Sequence, residues 1–285
     1  MPANTWNFRS VRELRRAHVD AVVEVDFGAG VHRLTPWITA LDLRALVPGD
    51  GPVDWAALDR LPNLSTVSWS GADRGLAEAI ARHPQIQYLE WFGAEGDLDL
   101  RQTAIVRLWI DGAGLRSLLL PTTMITLLLQ GPHEGLRIET QDERYGMGLH
   151  LSTGGADVVV PAGLRETPVV RLNLGGEFSV KALEGFTNLR ELTLDFEGPP
   201  GRLTDLPLLG QHPGLFRLCL INAYEMDPAT LPDLPLLSSV ELVGTRAGIA
   251  AGLRERFAGR GLPEVSVRHA RPSGNQEAAA AVEPS

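Results

Sequence analysis

Glu90 and Asp111 are the two carboxylates whose setting comes nearest to chemistry. Each stands beside a short apolar run, in Leu89-Glu90-Trp91 and in Ile110-Asp111-Gly112, with Phe92 and Trp109 close by. Two acids across an aromatic-lined groove are the requirement for glycoside cleavage, one donating a proton and the other attacking or activating water. The other candidates fail on spacing. Glu95, Asp97 and Asp99 alternate as the start of a calcium loop does, but the rest of that pattern is missing, so a solvated acidic loop is expected. The seven histidines (His18, His32, His83, His133, His150, His212 and His269) contain no H-E-x-x-H pair. Cys219 is the single cysteine, which excludes an intrachain disulfide and a thiolate cage. No basic residue or histidine adjoins it to activate the thiol. Gly28-Ala29-Gly30 follows an apolar run, but Arg33 occupies the place where a dinucleotide fingerprint needs a small residue, so a turn is expected there. Ser152 lies near Gly154-Gly155 with no assignable base, and neither a nucleophile elbow nor a phosphate loop is found. The sequence assigns no catalytic residue, no metal ligand and no cofactor, and a non-enzymatic chain is expected.

The elements that position these residues come from leucine. The chain has 44 leucines in 285 residues, about 15%, against 8 Phe and 3 Tyr. They recur in a short phrase. Leu61/Leu64/Val67/Trp69 is followed by Ile86/Leu89/Trp91 and Ile105/Leu108/Ile110, and each stretch ends in Gly-Ala. The phrase continues through Val169/Leu172/Leu174, Leu189/Leu192/Leu194, Leu215/Leu218/Leu220, Leu237/Val240/Leu242 and Leu262/Val265/Val267, with Ile38/Leu41/Leu43 upstream. Between residues 115 and 165 apolar runs come about every nine residues, too close for one coil each. Taking every second run puts the central anchors at 41, 67, 89, 108, 127, 149, 172, 192, 218, 240 and 265, a mean spacing of about 22. The skipped runs near 118, 137 and 159 then become second strands on the outer side of the coils. Helical returns are expected at Trp55–Leu61, Asp73–His83 with Asp73 as N-cap, Val180–Phe186 and Thr245–Gly259.

This phrase resembles the leucine-rich repeat family, whose unit runs 20–29 residues. The resemblance spans roughly residues 36–270 and implies an α/β fold: a right-handed solenoid, or horseshoe, of about eleven coils. It implies a concave parallel β-sheet and a convex side of mixed helices and short strands. The family usually carries Asn or Cys five residues after the central leucine. Here those places hold Ala72, Ala94, Ala113, Ala223 and Ala270, with Pro132, Gly154, Glu177, Glu197 and Thr245 elsewhere. The likeness is therefore to a divergent, bacterial-type member. Residues 1–35 are expected to form a helix and strand cap (Phe8–His18 and Ala21–Phe27), since a solenoid end must be covered. Residues 271–285 are expected to be a disordered tail.

Side chains in a strand alternate between faces, so the leucines point inward and the intervening residues outward. The outward set places Tyr88, Phe92, Trp109 and Leu128 on three successive coils as one apolar patch. Glu90, Arg107, Asp111 and Gln130 rim it, and His150 lies one coil further on. Aromatic residues ringed by Arg are the composition of a protein-binding hot spot. A second column, Arg171, Glu191 and Arg217, is expected to pair internally. His83-Pro84 and His212-Pro213 occupy equivalent repeat places, which points to capping of the preceding turn.

The expected function is a non-enzymatic protein-binding module using the concave face. The alternatives are a carbohydrate-active solenoid enzyme with Glu90 and Asp111 as its acids, and a structural or neutralising subunit of an operon-encoded complex. The net charge of −9 argues against nucleic acid and anionic membrane and favours a basic protein partner. Met1–Arg16 lacks the apolar core of a signal peptide, and no run of 18 apolar residues occurs, so a cytoplasmic location is expected. All basic residues but Lys181 are arginine, the bias of a GC-rich genome.

Overall fold

A computed structural model describes residues 23–27, 31–45, 53–72, 75–133, 135–140, 147–152, 163–197, 201–258 and 263–268. The chain is α/β, with mostly parallel strands and few helices. It divides into two compact units. The first comprises Met1–Thr153, Asp157–Val170 and Gly185–Asn188; the second comprises Gly154–Ala156, Arg171–Glu184 and Leu189–Ser285.

The first unit opens with an antiparallel pair, β1 (Val23–Asp26) and β2 (Val31–Leu34). Then follow β3 (Ala40–Asp42), β4 (Thr66–Ser70), helix α1 (Gly75–Ala81), β5 (Tyr88–Phe92), β6 (Glu95–Asp99) and β7 (Arg107–Asp111). β8 (Gly114–Leu120), β9 (Thr126–Gln130), β10 (Arg137–Thr140) and β11 (Gly148–Ser152) complete it. Strands β3, β4, β5, β7, β9 and β11 hydrogen bond in that order as parallel neighbours, while β6, β8 and β10 make a separate parallel sheet. The second unit holds β12 from Arg171 onward (the strand is Val169–Leu174), β13 (Glu177–Ser179), β14 (Glu191–Phe196), β15 (Arg202–Thr204), β16 (Arg217–Ile221), β17 (Ser239–Val243), helix α2 (Ala247–Arg256) and β18 (Glu264–Arg268). Its parallel order is β12, β14, β16, β17, β18, with β13 and β15 paired apart.

The register follows the leucine anchors. Leu41 stands opposite Val67, Val67 opposite Leu89, Leu89 opposite Leu108, Leu108 opposite Leu127 and Leu127 opposite Leu149. In the second unit Leu192, Leu218, Val240 and Val265 are aligned in the same way. A slip of one residue would turn every anchor outward, and burial of these side chains opposes it. All the anchors from Leu41 to Val240 are buried; each leucine so placed contributes about 1.5–3 kcal/mol relative to exposure. At Trp69 and Trp91 the inward place is filled by indole. Trp69 meets Trp55 edge-on with centroids 5.1 Å apart, and Trp91 Nε1 donates to the Gly71 carbonyl at 2.8 Å.

The interleaved runs near 118 and 137 do form strands, β8 and β10, in the separate sheet of the first unit. Leu118 and Ile138 are aligned and buried in β8 and β10. Residues Glu95–Leu100 differ from expectation: all but Leu100 form β6 rather than a loop. Leu98 and Leu100 are buried, so the stretch is an alternating strand whose acids face outward. Asp97 accepts from Arg116 at 2.7 Å and from Ser117 at 2.8 Å, both on the neighbouring strand. Asp99 takes Arg101, and this hydrogen bond holds its carboxyl below the usual range. Acidity marked this segment as solvated, while its period of two marked it as paired; the period decides.

Residues 55–60 and 180–183 are 3₁₀ turns, started by Asp54 accepting the Ala56 N–H at 3.1 Å and Ser179 accepting the Lys181 N–H at 3.2 Å. The expected N-cap Asp73, the helix over Phe8–His18, the outer run near 159 and the tail from 271 lie outside the described residues. His83 and His212 do sit in equivalent turns. Each donates its own backbone N–H to the carbonyl three residues earlier, at 2.9 Å, and each carbonyl accepts from the residue three later. The capping is therefore done by the main chain, and the His83 ring is left to meet Asp59 at 2.9 Å. Among the described residues no helix is long and apolar enough to cross a membrane.

A main-chain device links the strand ends. Four residues after the anchor, Gly71, Gly131, Asn222 and Gly244 all have positive φ, at 149°, 74°, 55° and 64°. Their N–H groups donate to the ends of the following strands, to Phe92, Ser152, Val243 and Arg268 respectively. Gly112 does the same to Gln130 at 2.9 Å. Glycine suits this corner because an added Cβ would be strained there.

Candidate functional site

The outward face of the six-strand sheet in the first unit carries all nine residues of the expected site. Tyr88, Glu90 and Phe92 alternate along β5; Arg107, Trp109 and Asp111 along β7; Leu128 and Gln130 lie on β9 and His150 on β11. Parallel pairing puts Tyr88 opposite Arg107, Glu90 opposite Trp109, Trp109 opposite Leu128, Asp111 opposite Gln130 and Leu128 opposite His150. With strands about 4.8 Å apart, these side chains form a contiguous surface.

The aromatic residues are fixed in place. Phe92 and Trp109 meet edge to face with centroids 5.5 Å apart. Trp109 Nε1 donates to Gln130 Oε1 at 3.1 Å, so the indole's polar edge is satisfied while part of the ring stays exposed. The Arg107 guanidinium lies 5.4 Å from the centroid of the Tyr88 ring. Tyr88 remains 38% exposed and Trp109 36%, which makes them solvent-facing in a sheet whose inward neighbours Leu89 and Leu108 are at 1% and 0%.

Glu90 and Asp111 are engaged separately. Glu90 accepts from Ser68 Oγ at 2.8 Å and lies 3.6 Å from Arg44. Arg44 also binds Asp42 at 2.7 Å, and its side-chain hydrogen bond holds the Asp42 carboxyl below the usual value. Asp111 Oδ1 accepts the Ala113 N–H at 2.9 Å. Room for this carboxylate depends on Gly131, where a Cβ would come within 2.7 Å of Asp111 Oδ1.

The corresponding face of the second unit is built from charge. Arg171 binds Asp195 at 3.3 Å, Arg217 binds Glu241 at 3.1 Å and approaches Glu191 at 3.8 Å, and Arg268 binds Glu241 at 3.1 Å. The expected pairing of Glu191 with Arg217 is there, but Arg171 reaches Asp195, four residues along β14, instead of Glu191. Cys219 is buried between these groups, and burial pushes its thiol pKa up, which makes it a poor nucleophile.

Six exposed apolar residues lie outside the sequence-derived set: Val31, Trp37, Ile125, Phe216, Leu236 and Val267. Ile125, 57% exposed, directly precedes β9, and Phe216, 38% exposed, directly precedes β16. Both stand two residues before a central anchor, a position whose repetition was the available signal. Arg44 was also missed, because it follows its strand and reaches back over it. Among the described residues no group of three or more His, Cys, Asp or Glu could hold a metal ion. No protein-family model matches the chain, and no curated protein matches it in sequence.

Proposed function

We propose that the chain is a non-enzymatic protein-binding module that grips its partner through the Tyr88, Phe92, Trp109 and Leu128 face. In this reading it is a divergent, bacterial-type leucine-rich repeat protein, a right-handed solenoid whose parallel sheet is the concave side. The anchor spacing of about 22 residues and the aligned, alternately buried strands support that architecture. One observation carries the binding role. Tyr88 and Trp109 are held rigid by Arg107, Phe92 and Gln130, yet stay exposed. Preorganised aromatic surface gives large contact area at small entropic cost, the property of a hot spot. Glu90 and Arg107 supply the polar rim, Asp111, Gln130 and His150 extend it, and the net charge of −9 favours a basic partner.

Site-specific photocross-linking tests this. Benzoylphenylalanine is placed at Trp109 in one variant and at Thr193, on the charged face, in another, and both are irradiated in the cells that make the protein. A discrete adduct at 109, absent at 193 and lost when Tyr88→Ala is added, is expected. Equal labelling at both positions, or none at 109 in a folded protein, overturns the proposal.

A further inference from the structure

The face of the first unit has an electrical asymmetry that its aromatic residues alone do not explain. Asp42 and Glu90 both find an oppositely charged partner, in Arg44. Arg107 and Asp111 do not: among the described residues neither has an oppositely charged side chain as partner. Arg107 is engaged only by the Tyr88 ring, and Asp111 only by the Ala113 backbone N–H. On the second unit's face, six charged residues (Arg171, Glu191, Asp195, Arg217, Glu241 and Arg268) are all in ion pairs.

The two unmatched charges are placed in order. Arg107, Trp109 and Asp111 are alternate residues of β7, so they point the same way, cation first, indole in the middle, carboxylate last. Four residues of strand separate the charges by about 13 Å. Trp109 is held between them by Phe92 and Gln130. Gly131 leaves the space that keeps Asp111 in place.

Resting on the binding role proposed above, we infer that this strip takes an extended peptide segment of a partner protein bearing an acidic, an apolar and a basic side chain at alternate positions. In an extended segment, residues i, i+2 and i+4 share one face at the same 13 Å span. The acid meets Arg107, the apolar side chain packs on Trp109, Phe92 and Leu128, and the base meets Asp111. Charge complementarity selects this occupant over a uniformly basic or uniformly acidic segment.

The probes are three capped pentapeptides: Glu-Thr-Phe-Thr-Lys, Glu-Thr-Phe-Thr-Glu and Lys-Thr-Phe-Thr-Lys. Binding is read from the indole N–H resonance of Trp109, assigned with Trp109→Phe, at low salt and millimolar peptide. The mixed-charge peptide is expected to bind about fivefold more tightly than either like-charged one, and the preference should shrink in high salt. Asp111→Arg should transfer the preference to the Glu/Glu peptide, and Arg107→Glu to the Lys/Lys peptide. Such a switch cannot come from misfolding, because each variant gains a ligand. Equal binding of all three peptides, or no perturbation by any, overturns the charge-ordered strip. If the cross-link at 109 is still formed in that case, the protein-binding role stands without it; if that also fails, both fall. A concentration-dependent dimer dispersed by Trp109→Ala would place a second copy on the face and likewise overturn the inference.

Discussion

The two units use one backbone scheme to opposite ends. In the first, β5, β7 and β9 turn exposed rings and an unmatched Arg107 and Asp111 to solvent. In the second, β12, β14, β16, β17 and β18 turn out charges that satisfy each other, with a buried thiol among them. Register and inward leucines are alike in both. Outward side chains are therefore free to differ at little cost to the fold.

The largest expected effect tests what the units share. Leu108→Ala and Leu218→Ala, at 0% exposure in matching places, should each cost about 2–5 kcal/mol in denaturant unfolding. Trp109→Ala, next door but outward, should cost about 1 kcal/mol, the value of its contact with Phe92. A Trp109→Ala loss as large as that of Leu108→Ala would put the ring inside and end the comparison.

Next come the corners. Gly131→Ala and Gly135→Ala share a positive φ, 74° and 78°, so each pays a strain of about 1–2 kcal/mol. Only at Gly131 does the new Cβ also press on Asp111, so that variant should lose more and should weaken any ligand that uses Asp111. In the second unit Asn222→Ala loses a hydrogen bond to the Phe196 carbonyl at 3.2 Å along with its left-handed preference, for about 1–2 kcal/mol. Equal losses at Gly131 and Gly135 would show that Asp111 is not confined.

Arg217→Met should cost about 1 kcal/mol at low salt and less at high salt, since Arg217 joins Glu191 and Glu241. Arg107→Met should cost about half as much, having only the Tyr88 ring to lose. Reversal of that order, measured by thermal or chemical unfolding, would remove the distinction between a neutralised and an open face.

The smallest effects are in pH dependence, and they have opposite signs. Asp42 is held below its ordinary value of 3.8 by the Arg44 hydrogen bond. Its contribution to stability is present above 3.8 and is lost as pH falls through the lower folded value, so Arg44→Met should flatten the acid limb of the stability curve. Cys219 is pushed above its ordinary value of 9.0 by burial. Its contribution is complete below 9.0 and is lost as pH rises through the folded value, so Cys219→Ser should flatten the alkaline limb. Carboxyl NMR titration and unfolding at graded pH check the two.

The anchors were legible because a strand has a period of two and leucine marks it; eleven places could be aligned without coordinates, and the outward set, including Tyr88, Trp109 and Asp111, came with them. What was not legible depends on reach across strands. Arg171 choosing Asp195 over Glu191, Arg44 folding back on Glu90 and the main-chain bonds at the corners are diagonal or backbone contacts, and no linear spacing encodes them. Residues 95–100 were misjudged because three acids outweighed two leucines, when cross-strand Arg116 and Ser117 made the acids compatible with a sheet.

The left-handed corners at Gly71, Gly131, Asn222 and Gly244 fasten one strand end to the next through main-chain groups, joined at Asn222 by its side-chain amide. What lies between one corner and the following strand is then under little obligation: an α-helix, a 3₁₀ turn or a second strand serves equally, and anchor spacings from 19 to 26 residues are accommodated. Grafts and deletions confined to those connections should leave the Arg107, Trp109 and Asp111 face untouched.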